Sequence, residues 1–490
     1  MLRYPLVLKG VLPPRWPPLR YLELGFGQGV TINVLAAACE GEFWGVEFNP
    51  AHVTHAEEMR AAAGSNCVLL ETSFEEFAQR NDLPTFDVIA LHGVWSWIAK
   101  SDRQTIVDLI RRLLVPGGVV YISYNTLPGW SDGAPLRYLL KFHNDNVSSP
   151  NDGIRKRIEE AVAFVRSLEN AKAVFFRAHP GASARLKRIA SQDPRYTAHE
   201  YLTDNWQPDY FAHVARALSE AKLSFAASSN ILDRFNPTAI SAEGRKLLAT
   251  VDDTVLRETI FDYLGNQQFR RDLFVKGLRM LPAGEQTAEL QAIRFMVTRT
   301  AADLRSTLNE ACENWKLNDE LYGSLTQALI SEGFRPKSLE SLHQAIGRER
   351  FSVKELVAAV SILVGTGCVG FVQDEAAAEK AKPRCLALNT WIIRRSRLSG
   401  ELSYLASPTV GNGILVPRVV LNMLLGMEQA GTQPKALAAF VWSLLKAKGL
   451  KVRKDGKDLL TDEENLAQLE SVAATFVSEQ LPLLQALRVI

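Results

Sequence analysis

The sequence predicts an α/β fold in its first part, followed by mainly helical domains. Over the first 126 residues, short apolar runs alternate with helix-like stretches, a pattern typical of a parallel sheet with helices on both faces. Beyond Trp130 the strand-like runs give way to helical patterns. The length of 490 residues corresponds to roughly three domains, at about 150 residues each. We therefore expect domains at 1–235, 236–375 and 376–490, the first with a helical insertion at about 131–195.

The elements of the predicted sheet follow from local sequence patterns. Pro50 suits the first turn of a helix, and Pro116, Gly117 and Gly118 separate a helix from the strand after it. Strands are expected at 19–24, 42–48, 67–70, 85–91 and 119–125, and helices at 30–39, 50–63 and 101–114.

The remainder is predicted to be helical apart from short strands. The helix at 352–363 has one Lys, one Glu and no Arg, which makes a poor surface for contacting phosphates. Residues 373–383 are interpreted as a solvated connector. Helices are expected at 135–144, 152–177, 181–191 and 208–221, with a strand at 223–227 that returns to the sheet. Helices at 321–331, 339–346 and 353–363 with a strand at 368–372 resemble a winged helix, and a second helical segment covers 417–450.

Composition and charge exclude several classes of protein. Lys plus Arg total 56 and Asp plus Glu total 54, so the net charge of +2 gives no chain-wide attraction for nucleic acid. The basic cluster at 446–457 is interpreted as a solvated loop. The uncharged run 357–372 is shorter than the about 20 residues of a transmembrane helix and is broken by glycines, and no export signal is recognisable. We expect a cytoplasmic protein without a nucleic-acid partner and without membrane insertion.

The cysteines predict neither a disulfide framework nor a metal site. Their number is odd, and none forms a C-x-x-C pair, the spacing expected of many zinc and redox sites. The five are Cys39, Cys67, Cys312, Cys368 and Cys385.

The most informative stretch is 21–29, Tyr-Leu-Glu-Leu-Gly-Phe-Gly-Gln-Gly, where the first strand turns into the first helix. Open α/β sheets bind ligands in the crevice at this point. A dinucleotide fingerprint, G-x-G-x-x-G, would need glycine at Val30. The alternative is the E/D-x-G-x-G-x-G loop of S-adenosylmethionine-dependent methyltransferases. There Glu23 would face the ammonium of the methionine part, and the glycines at 25, 27 and 29 would let the backbone approach the ligand.

Candidate cofactor contacts also follow the second and third strands. Glu47 lies 24 residues after Glu23 (47 − 23), where an acid can accept both ribose hydroxyls, and Phe48 is next to it. Both kinds of cofactor predict this acid, so Glu47 indicates a ribose without choosing between them. Ser73 and Phe74 follow the third strand, where methyltransferases usually place an acid against the adenine amino group. Ser73 would replace that acid.

The fourth and fifth strands end in aromatic segments that should face the same crevice. An Asn/Asp-Pro-Pro-Tyr/Phe motif after the fourth strand would indicate methylation of a nucleobase, and it is absent. His92, Gly93 and Trp95 are candidate cofactor contacts. The aromatic side chains of the two segments either belong to the core or line the binding site of a cationic or apolar part of the substrate. The aromatic residues of this set are Trp95, Trp97, Tyr124 and Trp130.

Four segments in this order resemble the bacterial class I methyltransferases that carry a methyltransferase regulatory domain, a family that includes rickettsial protein-lysine methyltransferases. They read ELGFGQG, LHGVWSWI, YISYNTLPGW and AHEYLTDNWQPDYFAHV. The resemblance implies a Rossmann-like sheet, S-adenosylmethionine as cofactor, protein lysine as acceptor and a regulatory region at about 136–227. Two departures are the short segment before the first strand and Phe26 in the loop, which would be a bulkier cofactor contact than the usual residue.

A lysine acceptor must arrive uncharged. With a reference pKa of about 10.4, its neutralisation at pH 7.4 costs about 4 kcal/mol unless the site desolvates it. We expect the hydroxyls of Tyr124 and Tyr201 to orient the amine and His92 to relay its proton. Methylation of a small molecule and a non-catalytic cofactor-binding role are the alternatives, and a homodimer is compatible with the sequence.

Overall fold

The computed structural model describes residues 2–14, 19–149, 151–235, 240–315, 317–454 and 456–490. A seven-stranded sheet forms the centre of its first part and confirms the predicted α/β class. The strands are β1 (Leu19–Leu24), β2 (Gly41–Glu47), β3 (Val68–Glu71), β4 (Phe86–Leu91), β5 (Leu114–Asn125), β6 (Leu223–Ser228) and β7 (Phe269–Lys276). Their order is β3-β2-β1-β4-β5-β7-β6, with β7 antiparallel to both neighbours and the other pairings parallel.

Helices cover both faces of the sheet, as its apolar strands require. Ile32 and Met59 pack with Tyr21 and Val88 on one face, whereas Phe77 and Ile106 belong to the core on the other. The strand β5 begins five residues earlier than predicted, because Pro116, Gly117 and Gly118 form an irregularity within it. The helices are α1 (Arg3–Leu8), α2 (Val30–Ala38), α3 (Pro50–Ala63), α4 (Phe74–Gln79) and α5 (Lys100–Leu113).

A helical insertion follows β5, as predicted, and has its own apolar core. Leu136, Val165 and Leu186 are buried in that core together with Trp130 and Tyr201. The predicted helix at 152–177 is in fact two helices. The insertion contains α6 (Gly133–Asn146), α7 (Ile154–Asn170), α8 (Val174–Ala178), α9 (Pro180–Ser191) and α10 (Pro194–Leu202).

The sheet continues past residue 235, where the first domain was expected to end. The segment 269–276 lies between β5 and β6, so the sheet closes only after three further helices. This strand contains the charged residues Arg270, Arg271 and Asp272, so its sequence lacks the apolar run by which the other strands were predicted. The intervening elements are α11 (Phe211–Ser219), which precedes β6, and α12 (Leu232–Phe235), α13 (Ala242–Ala249) and α14 (Thr254–Gly265).

The middle region contains the predicted series of three helices and a strand. The strand of this series belongs to a three-stranded antiparallel sheet, of order β10-β8-β9 in the ranges that follow. Tyr4 of α1 contacts the region through a 2.8 Å hydrogen bond between Tyr4 Oη and Ser361 Oγ. The elements are α15 (Ala283–Ala292), β8 (Arg294–Val297), α16 (Ala301–Trp315), α17 (Asp319–Phe334), β9 (Lys337–Ser338), α18 (Leu339–Ile346), α19 (Val353–Gly365) and β10 (Val369–Phe371).

The predicted connector at 373–383 is wrong, because most of it belongs to a long helix packed on α2 and α3. Ala377, Ala378 and Ala381 are buried, and alanine is the strongest helix former. The C-terminal elements are α20 (Glu375–Ser396), β11 (Tyr404–Ser407), β12 (Asn412–Leu415), α21 (Arg418–Ala430), α22 (Pro434–Lys446), β13 (Arg453–Lys454), β14 (Lys457–Asp458), α23 (Asp462–Thr475) and α24 (Leu481–Ala486). Among the described residues, no helix has both the length and the apolar character needed to cross a bilayer.

Candidate active site

The glycine-rich loop after β1 is held in a backbone conformation that favours glycine. The φ angles of Gly25, Gly27 and Gly29 are +73°, +57° and +74°. A Cβ on Gly25 would lie 2.7 Å from Val94 Cγ2, and one on Gly29 would lie 2.4 Å from Ala56 Cβ. At Gly27 no atom lies within 4 Å of that position. Gly25 and Gly29 are therefore required by packing, whereas Gly27 leaves the loop open to a ligand.

Glu47 ties the end of β2 to this loop. Its Oε2 accepts a hydrogen bond from the Gly27 amide at 2.9 Å, and its Oε1 accepts one from the Asn49 amide at 3.1 Å. A carboxylate offers about four acceptor positions, so lone pairs remain for two hydroxyl groups. Phe48, directly after it, is 74% exposed and presents a free aromatic ring. The pair is suited to a nucleoside, and its contact with one stays a prediction.

Glu23 is buried on the sheet face that carries Tyr21 and Tyr121. The register Glu23–Ala90–Tyr121 places Tyr121 two strands away, in the same row. Burial raises the pKa of Glu23 to about 8, and the 3.2 Å hydrogen bond that it accepts from Tyr21 Oη offsets only part of this rise. Glu23 therefore binds a proton at neutral pH until a cation approaches it.

Two predicted cofactor contacts have structural roles instead. The Ser73 hydroxyl accepts a hydrogen bond from the Glu76 amide at 3.2 Å and donates one to Glu76 Oε2 at 2.9 Å, which caps α4. Phe26 does not project towards the crevice, because its ring is buried against Gly45, where an added Cβ would lie 2.6 Å from Phe26 Cδ1. The missing side chain of Gly45 thus makes room for the bulky Phe26.

Phe74 supports the loop from its other side. The ring is half-buried, and Phe74 Cζ lies 3.8 Å from the position of a Cβ on Gly25. Its predicted contact with the cofactor stays a prediction.

The end of β4 presents His92 and Gly93 but not Trp95. His92 is exposed, and its ring packs edge-on against Tyr121 with centroids 5.8 Å apart. Partial desolvation lowers its pKa, and the Arg271 charge adds to this, so the ring is neutral at pH 7. The Gly93 amide donates to Ser123 Oγ at 2.8 Å. Trp95 is 2% exposed and belongs to the core, so the expectation that it lines the crevice is wrong.

The two tyrosines expected to orient the acceptor amine are also placed differently. Tyr124 is buried on the opposite face of the sheet, where its hydroxyl donates to Asp272 Oδ2 at 2.9 Å. Tyr201 is buried in the core of the insertion, with its ring centroid 6.3 Å from that of Trp130. Neither hydroxyl is available to an acceptor, so both predicted roles are wrong.

Their neighbours in sequence lie at the carboxyl ends of the strands instead. Asn125 shares a sheet face with Tyr121, and its side-chain amide lies near the Glu200 carboxylate, where it offsets part of the rise that burial gives the pKa of Glu200. The His199 ring packs against Trp97, with centroids 4.6 Å apart. The alternation of side chains along β5 could have indicated Asn125, whereas no sequence pattern places Glu200 beside it.

Comparison with known proteins agrees with this geometry. Residues 22–120 match the family described as a methyltransferase domain, and residues 193–276 match the predicted methyltransferase regulatory domain. That regulatory region begins at α10 and ends with β7, further along the chain than the expected 136–227.

Relatives cover most of the chain. The uncharacterized protein sll1526 of Synechocystis sp. is 35% identical over 469 residues, which are 95% of this chain and 90% of that protein. The uncharacterized protein RP789 of Rickettsia prowazekii is 28% identical over 54% of this chain and 47% of its own length. The structure of PKMT2 from Rickettsia typhi in complex with AdoHcy is similar with a TM-score of 0.67, at 17% identity, over 99% of this chain and 97% of that one.

Proposed function

Because the chain belongs to the bacterial class I S-adenosylmethionine-dependent methyltransferases that carry a methyltransferase regulatory domain, we propose that it methylates the side-chain amine of lysine in a protein. S-adenosylmethionine supplies an electron-poor methyl carbon, and the chain has to hold the acceptor nitrogen in line with it. The residues that would hold the cofactor are Gly27 and Glu47 at the ribose, Phe48 at the base and Glu23 towards the ammonium. The proposed in-line reaction needs no metal.

A protein acceptor is supported by the surface of the insertion. Large apolar side chains are exposed along its helices, and exposed apolar surface is typical of sites of protein interaction. Tyr138 and Phe142 stack on each other there, with ring centroids 5.9 Å apart. The exposed side chains are Tyr138, Phe142, Val147, Ile154, Phe164, Val174 and Tyr196. Tyr196 lies on α10, whose His199 packs against Trp97, and exposed apolar side chains in this number favour a polypeptide over a small molecule.

The proposal is tested with methyl-labelled S-adenosylmethionine and the total protein of the source organism. We expect label in protein, released as methyl-lysine on acid hydrolysis, and its position found by peptide mass spectrometry. A Gly27→Ala variant should incorporate none, which shows that the label depends on the crevice. Label confined to small molecules would favour the alternative acceptor, and cofactor binding without any transfer would favour a non-catalytic role.

A further inference from the structure

The last helix of the insertion, α10, packs on α6 and α7 and approaches residues that follow β4 and end β5. Its contacts are specific: the His199 ring packs on Trp97, which follows β4, and the side-chain amide of Asn125, the last residue of β5, lies close enough to the Glu200 carboxylate to act on its pKa. Arg137 Nε donates to the Glu200 carbonyl at 2.9 Å and fixes the helix in this position. Parallel α/β sheets bind their ligands at this edge. The helix therefore brings a carboxylate to the half of the crevice that the cofactor residues on β1 and β2 leave free.

Glu200 is half-buried and forms no ion pair in the part of the chain that the structure describes. The other carboxylates near this edge are engaged: Asp209 pairs with Arg103 and His213, and Asp272 pairs with Arg270 on the opposite face. Burial raises the pKa of Glu200, and the Arg137 and Arg185 guanidiniums and the Asn125 amide offset only part of this. Among the residues whose side chains are described, the titratable and charged groups that interact with Glu200 are Arg137 of α6, Arg185 of α9 and Tyr196 of its own helix.

We propose that Glu200 receives the side-chain ammonium of the acceptor lysine and takes one proton from it, with Trp97 and His199 flanking the aliphatic part of that side chain. This inference rests on the lysine acceptor proposed above. A half-buried carboxylate attracts the cation, and aromatic faces suit the methylenes and the charge of a lysine. Glu200 directly precedes the buried Tyr201, whose hydroxyl was expected to orient the amine. The carboxylate of Glu200 takes that place in the proposal.

The proton balance is simple. One N–H bond of the ammonium breaks and an O–H bond forms on Glu200, which leaves a lone pair on the nitrogen. As the N–C bond forms, the S–C bond of the cofactor breaks and its electron pair stays on sulfur. The product is a methylated ammonium, and the Glu200 proton then leaves to water.

The test compares Glu200→Gln with Glu159→Gln, which makes the same chemical change at an exposed position of α7. The probe is total protein of the source organism with labelled cofactor, and methyl-lysine is measured between pH 6.5 and 9.5. A positioned general base typically contributes a factor of about 100 to 10,000. We expect Glu200→Gln to lose about 100-fold or more near pH 7 and less as the pH approaches the lysine pKa of about 10.4. Glu159→Gln should match the wild type.

Two readouts besides activity accompany the rates. Calorimetry should give the same cofactor affinity, within twofold, for all three proteins. Carbon NMR of labelled glutamate carboxyls should show one resonance, missing in Glu200→Gln, that titrates above the usual value of about 4.3. A wild-type rate for Glu200→Gln at pH 7, or a loss that is the same at every pH, overturns the proposal. If the wild type itself produces no methyl-lysine, the proposed function fails, and the role of Glu200 fails with it.

Discussion

Glu23 links cofactor binding to pH at the level of a single carboxyl group. Its pKa is about 8 in the free protein, because the group is buried, so at pH 7 it is mostly protonated. Pairing with the cofactor ammonium requires the ionised form, and binding must therefore release a proton. We expect the affinity for S-adenosylhomocysteine, measured by calorimetry, to rise between pH 6.5 and 8 and then level off.

The Glu23→Gln variant is the control for this effect. It cannot ionise, so its affinity should be lower at pH 8.5 and should lose the rise below pH 8. An unchanged pH profile in this variant would assign the titration to another group.

Gly27 is expected to act through the ligand, and the chain offers a matched control. Gly27 and Gly117 both have positive φ angles, +57° and +81°, and neither has an atom within 4 Å of an added Cβ. Alanine at either site should therefore cost about 1–2 kcal/mol of stability through backbone strain. Only Gly27→Ala should weaken cofactor binding, because Gly117 lies in β5 away from the loop. Equal affinities in the two variants would contradict the assignment of the loop.

At the residue scale, the sequence predicted the ends of the strands and the glycine loop, but not the direction in which several side chains point. Glu47 and the glycines occupy the predicted places because backbone geometry at strand ends depends on local sequence. Tyr124 and Tyr201 were misplaced because one residue of offset turns a side chain to the other face of a strand or helix. Ser73 was misplaced because its hydroxyl is also suited to a helix N-terminus.

The strand β7 depends on one buried side chain. Arg270 is buried among Glu258, Asp262 and Asp272, at 3.0, 2.5 and 2.7 Å. Removal of the guanidinium would leave buried carboxylates without their partner, which typically costs 3–5 kcal/mol. We expect Arg270→Met to lower the free energy of unfolding by about that amount in a denaturant titration.

The neighbouring Arg271→Met variant tests whether the loss of stability comes from the buried position of Arg270 rather than from the removal of a positive charge. Arg271 is exposed on the opposite face of the same strand and has no ion pair within the described ranges. Its substitution should change stability by no more than about 0.5 kcal/mol. Similar losses in the two variants would contradict the role given to the buried network.

At the element scale, prediction succeeded where apolar runs and capping residues agree. The strands β1 and β4 and the helix α3 have the predicted bounds to within a residue. It failed for β7, whose buried charges are stabilised only by residues distant in sequence, and for α20, where Pro383 and the charged residues indicated a loop. The structures of β7 and α20 depend on strand pairing and on burial against distant segments, and a short stretch of sequence contains no information about either.

At the scale of the whole molecule, the C-terminal region is attached to the cofactor domain through α2. Gln373 Nε2 donates to the Ala38 carbonyl at 2.9 Å, and Arg384 and Cys385 contact the Ala37 carbonyl. The helix α2 begins at the glycine loop, so a ligand that orders the loop should also stabilise α20. We expect saturating S-adenosylhomocysteine to slow amide hydrogen exchange in α20 as well as in α2.

The Gln373→Ala variant tests whether the hydrogen bond from Gln373 to α2 transmits the stabilisation to α20. It should reduce the protection of α20 while leaving that of α2 in place. Protection confined to 19–125 in the wild type would show that the C-terminal region does not respond to the cofactor.

The late position of β7 has a consequence for synthesis of the chain. Asn125 and Phe269 are paired in the sheet although 144 positions (269 − 125) separate them. During translation at about 5–20 residues per second, the edge of β5 therefore stays unpaired for roughly 7–29 seconds, until β7 has been synthesised. The insertion is complete well before then and can fold around its own core in the meantime. Nascent chains of this length expose an unpaired, aggregation-prone edge, and they are the stage at which a ribosome-associated chaperone would protect this protein.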